Sequence, residues 1–338
     1  MKHVAAAADV SVMTVSLALR RVPSIPAETR ERILAVAEKL GYRRNPLVAA
    51  LMADLRGKQA RGSEAHVIAY VESYPEEGPP QQTGSLRRFR EGALAGATKH
   101  GFGLQTFRLA DGGLSETRLE QVLDARGIRG VVFAPFPHTG SVLTQPWRNH
   151  ALAALGYSLA RPALHRAVNY QAHSIRLAFA ELHALGYRRI GLVMRRHEDE
   201  RAGRNWLSSV LLAQHDAVGT ELGYPLLVVE NLERKAVLAW VKRERPDVVV
   251  TTEPGVGPML PQGRLGFAHL HLTPDAVGCS GIDQNNERVG EAAVDLVVEQ
   301  LHRNVFGFPE NPKTVLIEGR WVAGTTATGP VAARRGGV

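Results

Sequence analysis

Val4-Ala5-Ala6-Ala7-Ala8-Asp9-Val10-Ser11-Val12-Met13-Thr14-Val15-Ser16-Leu17-Ala18-Leu19 reads as two short helices folded about a three-residue turn. The alanines favour helix strongly. Ser11 is placed to cap a second helix, Val12 to Leu19, by accepting a backbone N–H at its hydroxyl. Val4, Ala8, Val15 and Leu19 make one apolar face across both helices, and Val10 plugs the angle between them. Two short helices in this arrangement form the motif that lays its second helix in the major groove of DNA.

Working outward, Ile25-Pro26 starts a third helix, Ala27 to Leu40, with Ile33, Leu34, Ala37 and Leu40 on one face and Gly41 as its stop. Pro46 then opens a short segment, Leu47 to Leu55, that is apolar on nearly all sides and needs a partner to be stable. The charge is concentrated here. Residues 1–62 hold eleven Lys/Arg against five Asp/Glu, so most of the chain's formal charge of +8 sits in its first fifth. A basic head on a nearly neutral body is the electrostatic footprint of docking on phosphates.

These motifs in this order resemble the head of the lac-repressor (LacI/GalR) family: Val4 to Leu19, then Pro26-Ala-Glu-Thr-Arg-Glu-Arg-Ile33, then Leu40-Gly-Tyr-Arg-Arg-Asn45. The resemblance implies roles by position. Val12, Met13 and Leu17 would face base edges. Ser11, Thr14, Ser16, Thr29 and Asn45, with Arg20, would hold the DNA backbone. Leu51 would pair with its dimer mate and wedge into the central minor groove, unstacking a step at a cost of about a few kcal/mol to bend the duplex.

The chain departs from that pattern in several places. Val48-Ala49 stands where an Ala-Arg pair is usual, so a minor-groove arginine is missing. Asp9 replaces a turn glycine; Asp tolerates a left-handed conformation but brings negative charge near phosphate. Val12, Met13 and Leu17 can touch thymine methyls but cannot make bidentate bonds to G or A, so discrimination is expected to rest on phosphates and bending. The family also has several residues before this helix, whereas Met1 stands in its first turn; either the true start lies upstream or the helix frays.

From His66 the pattern alternates. Strands are expected at Val67–Val71, Leu104–Phe107, Gly130–Ala134, Ala151–Leu155, Arg189–Met194, Leu226–Val229 and Asp247–Thr251. Helices are expected at Leu86–His100, Ser115–Arg126, Ser174–Leu185, Trp206–His215 and Lys235–Arg243. Such βα alternation argues for parallel sheets wound by helices, in two sets with a cleft between them. Leu185-Gly-Tyr-Arg-Arg-Ile-Gly191, Gly281-Ile-Asp-Gln-Asn-Asn-Glu-Arg-Val-Gly290 and Gly319-Arg-Trp-Val-Ala-Gly-Thr325 extend the resemblance, which implies crossovers near 160, 282 and 318. The expected fold is an all-α helix-turn-helix head (1–44), a hinge helix and linker (45–64), and an α/β periplasmic-binding-protein-like body (65–338). That body would have two doubly wound parallel-sheet lobes, at about 65–160 with 283–317 and about 161–282 with 318–330.

For a small-molecule effector, expected to be a sugar or derivative, the resemblance implies an arginine opening the helix after the second lobe's first strand; Arg201 and Arg204 both fit. Gln284 and Asn285 sit at a crossover, and Trp206 could stack on a ring or lie in the core. Glu72, Ser73 and Tyr74 end the first strand and Phe136 follows a later one. Catalysis is not expected: there is no Gly-x-Ser-x-Gly elbow, P-loop or His-Glu-x-x-His. Nor is a metal or cofactor, since Cys279 is the lone cysteine and no carboxylate pattern joins His269 and His271. With no apolar run of about 18–20 residues and no leader-like start, a membrane partner is not expected and the cytoplasm is. Together these imply a homodimeric regulator, a repressor in the first instance, binding a double-stranded DNA operator. The alternative, a periplasmic-type sugar-binding protein, lacks an explanation for the basic head.

Overall fold

The computed structural model describes residues 2–11, 14, 15, 18, 25–40, 66–74, 80–109, 114–261, 265–273 and 276–330. In the head, α1 (Lys2–Ala7) and α2 (Ala27–Lys39) flank helical backbone at Thr14, Val15 and Ala18. Val4, Ala5, Ala8, Val15, Ala18, Ile33 and Ala37 form one small core, with Val10 and Ile25 packed on it. The expected face of the third helix is corrected in part: Leu34 is only half-buried and Leu40 is half exposed, because Ile33, Val36 and Ala37 are the residues of this helix that pack on the core.

The body is two six-stranded sheets. The first is built from β1 (Val67–Glu72), β2 (Gly103–Arg108), β3 (Gly130–Phe133), β5 (Ala151–Leu155), β7 (His165–Asn169) and β13 (Thr314–Ile317), in the order β13-β7-β5-β3-β1-β2, all parallel. A two-residue β4 (Ser141–Val142) and β6 (Leu159–Arg161) pair to one side. The second sheet contains β8 (Ile190–Arg195), β9 (Leu226–Val229), β10 (Val248–Thr251), β11 (Gly266–His269), β12 (Ser280–Asp283) and β14 (Arg320–Val322). Its order is β14-β12-β11-β10-β8-β9, parallel except for β14. Strands such as β3, β5 and β10 are buried along their whole length, which is why they read as unbroken apolar runs.

Helices cover both faces of each sheet. On the first lobe, α3 (Pro80–Lys99) and the long α9 (Asn286–Arg303) lie on one face, and α4 (Glu116–Ala125), capped by the Ser115 hydroxyl, lies on the other. On the second, α5 (Gln171–Ala184) and α7 (Asn205–Asp216) cover one face, and α8 (Arg234–Glu244) with a 3-10 turn (Pro254–Met259) covers the other. A short α6 (Arg196–Arg201) links β8 to α7. The chain crosses between lobes after β7, β12 and β13. The first crossing therefore falls after Asn169 and not near 160. His165–Asn169 is a first-lobe strand with only Ala167 and Val168 as apolar residues, too weak a signal to mark it in advance. The other crossings follow Asp283 and Ile317.

α3 and α9 approach through glycines. A Cβ on Gly92 would sit 1.8 Å from the Glu287 carbonyl oxygen, and one on Gly290 2.0 Å from that of Phe89. Gly84, in the same helix, faces open space. Gly84→Ala should therefore raise stability by about 0.5–1 kcal/mol through helix propensity. Gly92→Ala should cost more than the roughly 1–3 kcal/mol of ordinary overpacking, since the obstacle is backbone. Denaturant unfolding of the two variants checks both signs.

Three histidines are kept neutral by burial. His150 is fully buried, neither ring nitrogen has a hydrogen-bond partner, and its pKa is pushed down to about 4. His269 and His271 are likewise lowered to about 4 by burial. Each has a folded pKa below the unfolded value of about 6.5, so its stabilisation is complete above pH 6.5 and is lost as pH falls toward 4. The limit is about 3 kcal/mol per residue. The melting midpoint should fall steeply between pH 6.5 and 4, and His150→Leu should flatten that fall; a profile level across this window in the parent protein would contradict it.

Candidate functional site: an inter-lobe cleft and a helical head

The carboxyl ends of the two sheets face each other across a cleft of about 260 Å³. From the first lobe come Tyr74 after β1, Ser85, Leu86 and Phe89 on α3, and Tyr157 and Ser158 after β5. From the second come Arg195, Glu198, Arg201 and Trp206 along β8–α7, Thr252 and Glu253 after β10, and His271 after β11. Asn169, Gln171 and Gln284 form the floor where the chain crosses. Open α/β sheets bind ligands at this end of their strands.

The charges are paired. Arg195 Nε donates to Glu253 Oε1 at 2.9 Å and Nη2 reaches Glu198 at 3.4 Å. Hydrogen bonding to Glu253 holds the Arg195 guanidinium above its usual range against the opposing effect of burial. At the floor, burial would raise the Asp283 carboxyl, but bonds from Arg88 Nη2 (2.8 Å), Arg320 (2.9 Å) and the Asn285 N–H (3.1 Å) outweigh it and hold it low. His271 Nε2 lies 2.9 Å from Ser85 Oγ and 3.1 Å from Asn286 Nδ2. With the ring proton on Nδ1, it accepts from both and joins second lobe to first. Among the residues lining the cleft, two buried polar atoms have no partner: Gln171 Oε1 and Thr252 Oγ1.

Among the expected effector residues, Tyr74, Arg201, Trp206 and Gln284 come together in the cleft. Gln284 is nevertheless spent on the protein, its Nε2 donating to Leu270 O and its Oε1 accepting from Ser174 Oγ. The others are not among the lining residues. Arg204 points outward, 75% exposed and paired with Glu200, because its left-handed backbone turns it away at the start of α7. Asn285 is also left-handed and donates from Nδ2 to Glu318 O. Glu72 faces Arg90 at 3.7 Å, and the Ser73 hydroxyl is buried beside the cleft without a partner. Phe136 is core, offering only its carbonyl oxygen. Sequence reasoning missed Gln171, Asn169, Glu253 and His271, which stand just past strand ends; the carboxyl-end rule is the signal that could have found them.

In the head, Ser11 Oγ accepts from Thr14 N at 3.0 Å and lies 2.8 Å from Thr14 Oγ1. This is the cap expected of a serine at that position. Thr29 is half-buried in the first turn of α2. Asp9 takes φ 49°, the conformation for which a glycine is usual. Val12, Met13, Ser16, Leu17, Arg20, Asn45 and Leu51 lie outside the described residues.

A family model described as "Bacterial regulatory proteins, lacI family" matches residues 1–45. The match covers the head, so the resemblance to lacI-family regulatory proteins is shown for residues 1–45.

The fold of the chain agrees with that of solved structures. The lac repressor dimer bound to operator and an anti-inducer is 15% identical with a TM-score of 0.53, covering 96% of this chain and 98% of that one. The regulator CelR with cellobiose gives 15%, 0.52 and the same coverages. A periplasmic binding protein/LacI regulator from Alkaliphilus metalliredigens, complexed with D-xylulofuranose, is 11% identical at 0.53, covering 78% and 99%. At these identities the likeness is one of fold. No curated protein matches the chain in sequence. Among the described residues no helix is long and apolar enough to cross a membrane.

Two substitutions test the head. Asp9→Gly should stabilise the turn, because glycine takes the left-handed conformation without steric cost. Ser11→Ala should cost about 1 kcal/mol through the lost cap. Amide exchange at Thr14 reads both, slower in the first variant and faster in the second.

Proposed function

We propose that this chain is a DNA-binding transcriptional regulator whose operator affinity is set by a small effector in the inter-lobe cleft. The match of residues 1–45 to the family's regulatory proteins carries the reading. The two-lobed body with polar groups converging at the strand ends supports the effector half. Neighbours of the same fold were solved with cellobiose and with D-xylulofuranose, which favours a sugar or sugar derivative here. The working unit is a homodimer on a pseudo-palindromic operator, in the cytoplasm where its DNA lies, acting as a repressor and performing no catalysis. Closing the cleft changes the spacing of the paired heads, so effector and operator affinities are linked.

The DNA half is tested by selecting duplexes from a random pool with the full chain, then following affinity against salt. Log K should fall linearly with log salt, with a slope of about −0.9 per phosphate contacted. A flat dependence, or no duplex bound at low salt, rejects the reading. Within it, Leu51→Ala should abolish operator preference while Met13→Ala leaves it largely intact, because the reading positions hold no bidentate donor.

A further inference from the structure

Arg201 is the cleft cation that no carboxylate is bonded to among the described residues. Its Nη1 donates instead to two first-lobe carbonyls, Phe136 O and Pro137 O, each at 2.8 Å. These lie just past β3 and across the cleft from α6, where Arg201 sits. The guanidinium carbon stands 5.8 Å from the centroid of the Tyr74 ring, also first-lobe, and Tyr74 Oη donates to the same Phe136 O at 3.3 Å. Arginine is suited to this use, since its fork can bridge two acceptors while its plane stacks on an aromatic face.

The rest of the cleft is matched to a ligand without charge. Its ionised side chains balance, Arg195 and Arg201 against Glu198 and Glu253. Arg195 is already bonded to both carboxylates. The unmet partner at the floor, Gln171 Oε1, is an acceptor on a side chain only 9% exposed. A phosphate or carboxylate anion brings acceptors only and cannot satisfy it; a hydroxyl or amide can. Thr252 Oγ1 can take either role.

We infer that Arg201 straps the second lobe to the first, and that the cleft it closes takes an uncharged, hydrogen-bond-donating ligand. The inference rests on the cleft being an effector site but not on DNA binding.

Solution scattering and amide exchange of the DNA-free full chain test the strap. Arg201→Met should enlarge the radius of gyration and speed exchange at residues 134–136 and 157–158, with α8 protected as before. Tyr74→Leu, which strips the ring from the guanidinium, should open the cleft in the same sense, and Arg204→Met should not. Indistinguishable profiles for Arg201→Met, Tyr74→Leu and the parent would overturn the strap. For the ligand, thermal shifts are read with glucose, glucose 6-phosphate, glucuronate, ribose and ribose 5-phosphate at matched ionic strength. A midpoint raised by glucose or ribose supports the uncharged ligand; one raised by a phosphate ester or uronate but not by its neutral parent overturns it. Failure of operator binding in a chain that still opens on Arg201→Met would reject the regulatory reading and leave the strap standing.

Discussion

Three carboxamides at the crossings between lobes hold the body together. Asn169 Nδ2, at the end of β7, donates to Gln284 O and to Asn286 Oδ1, both at 2.9 Å. Asn285 Nδ2 donates to Glu318 O at 2.7 Å. The first crossing is thus bonded to the second, and the second to the third. Without those bonds the carbonyls of Gln284 and Glu318 would lose partners at a half-buried junction. With them, the junction can flex as a unit, because each bond lies within the bundle of crossing segments and not between the lobes it joins. Arg88 and Arg320 clasp Asp283 at the same place, so the hinge is braced by charge as well.

Above this hinge, lobe position is decided by few contacts. At the floor, the neutral His271 ring accepts from Ser85 and Asn286. At the mouth, Arg201 reaches the carbonyls after β3. Each contact involves a polar group whose only alternative is water or a ligand. Opening therefore exchanges these polar contacts for water or ligand and leaves both cores in place. A ligand offering even modest differential contacts can shift such an equilibrium.

How much of this was legible in the sequence follows from what each segment buries. Gly130–Phe133, Ala151–Leu155 and Val248–Thr251 are covered on both faces, so their composition alone declares them strands. His165–Asn169 and Arg196–Arg201 were not readable. The first has two apolar residues, and the second, Arg-His-Glu-Asp-Glu-Arg, buries only Asp199, whose carboxylate accepts from Leu207 N. The site was legible by place more than by residue. Strand ends and crossovers pointed to Tyr74, Arg201 and Gln284, but whether a side chain turns inward depends on one or two dihedrals. Asn285 at φ 53° and Arg204 at φ 62° were directed away by such turns, and no periodicity announces a left-handed residue other than glycine. Asp9 is the exception, since the resemblance to a glycine-bearing turn made its φ of 49° expectable.

The strap is anchored next to the central strands of the first sheet. Phe136 and Pro137 follow β3, and β3 pairs with β1 along Ile68–Val71. β1 is the strand that receives the chain from the head, and Tyr74, which lies against Arg201, immediately follows it. A pull on Arg201 is therefore delivered to the two central strands of the first sheet and to the segment bounding β1 at its far end. Neither passes through a flexible intermediary, because β1 and β3 are buried and share a core with α4. Drawing the second lobe against the first therefore moves the first lobe as a rigid body.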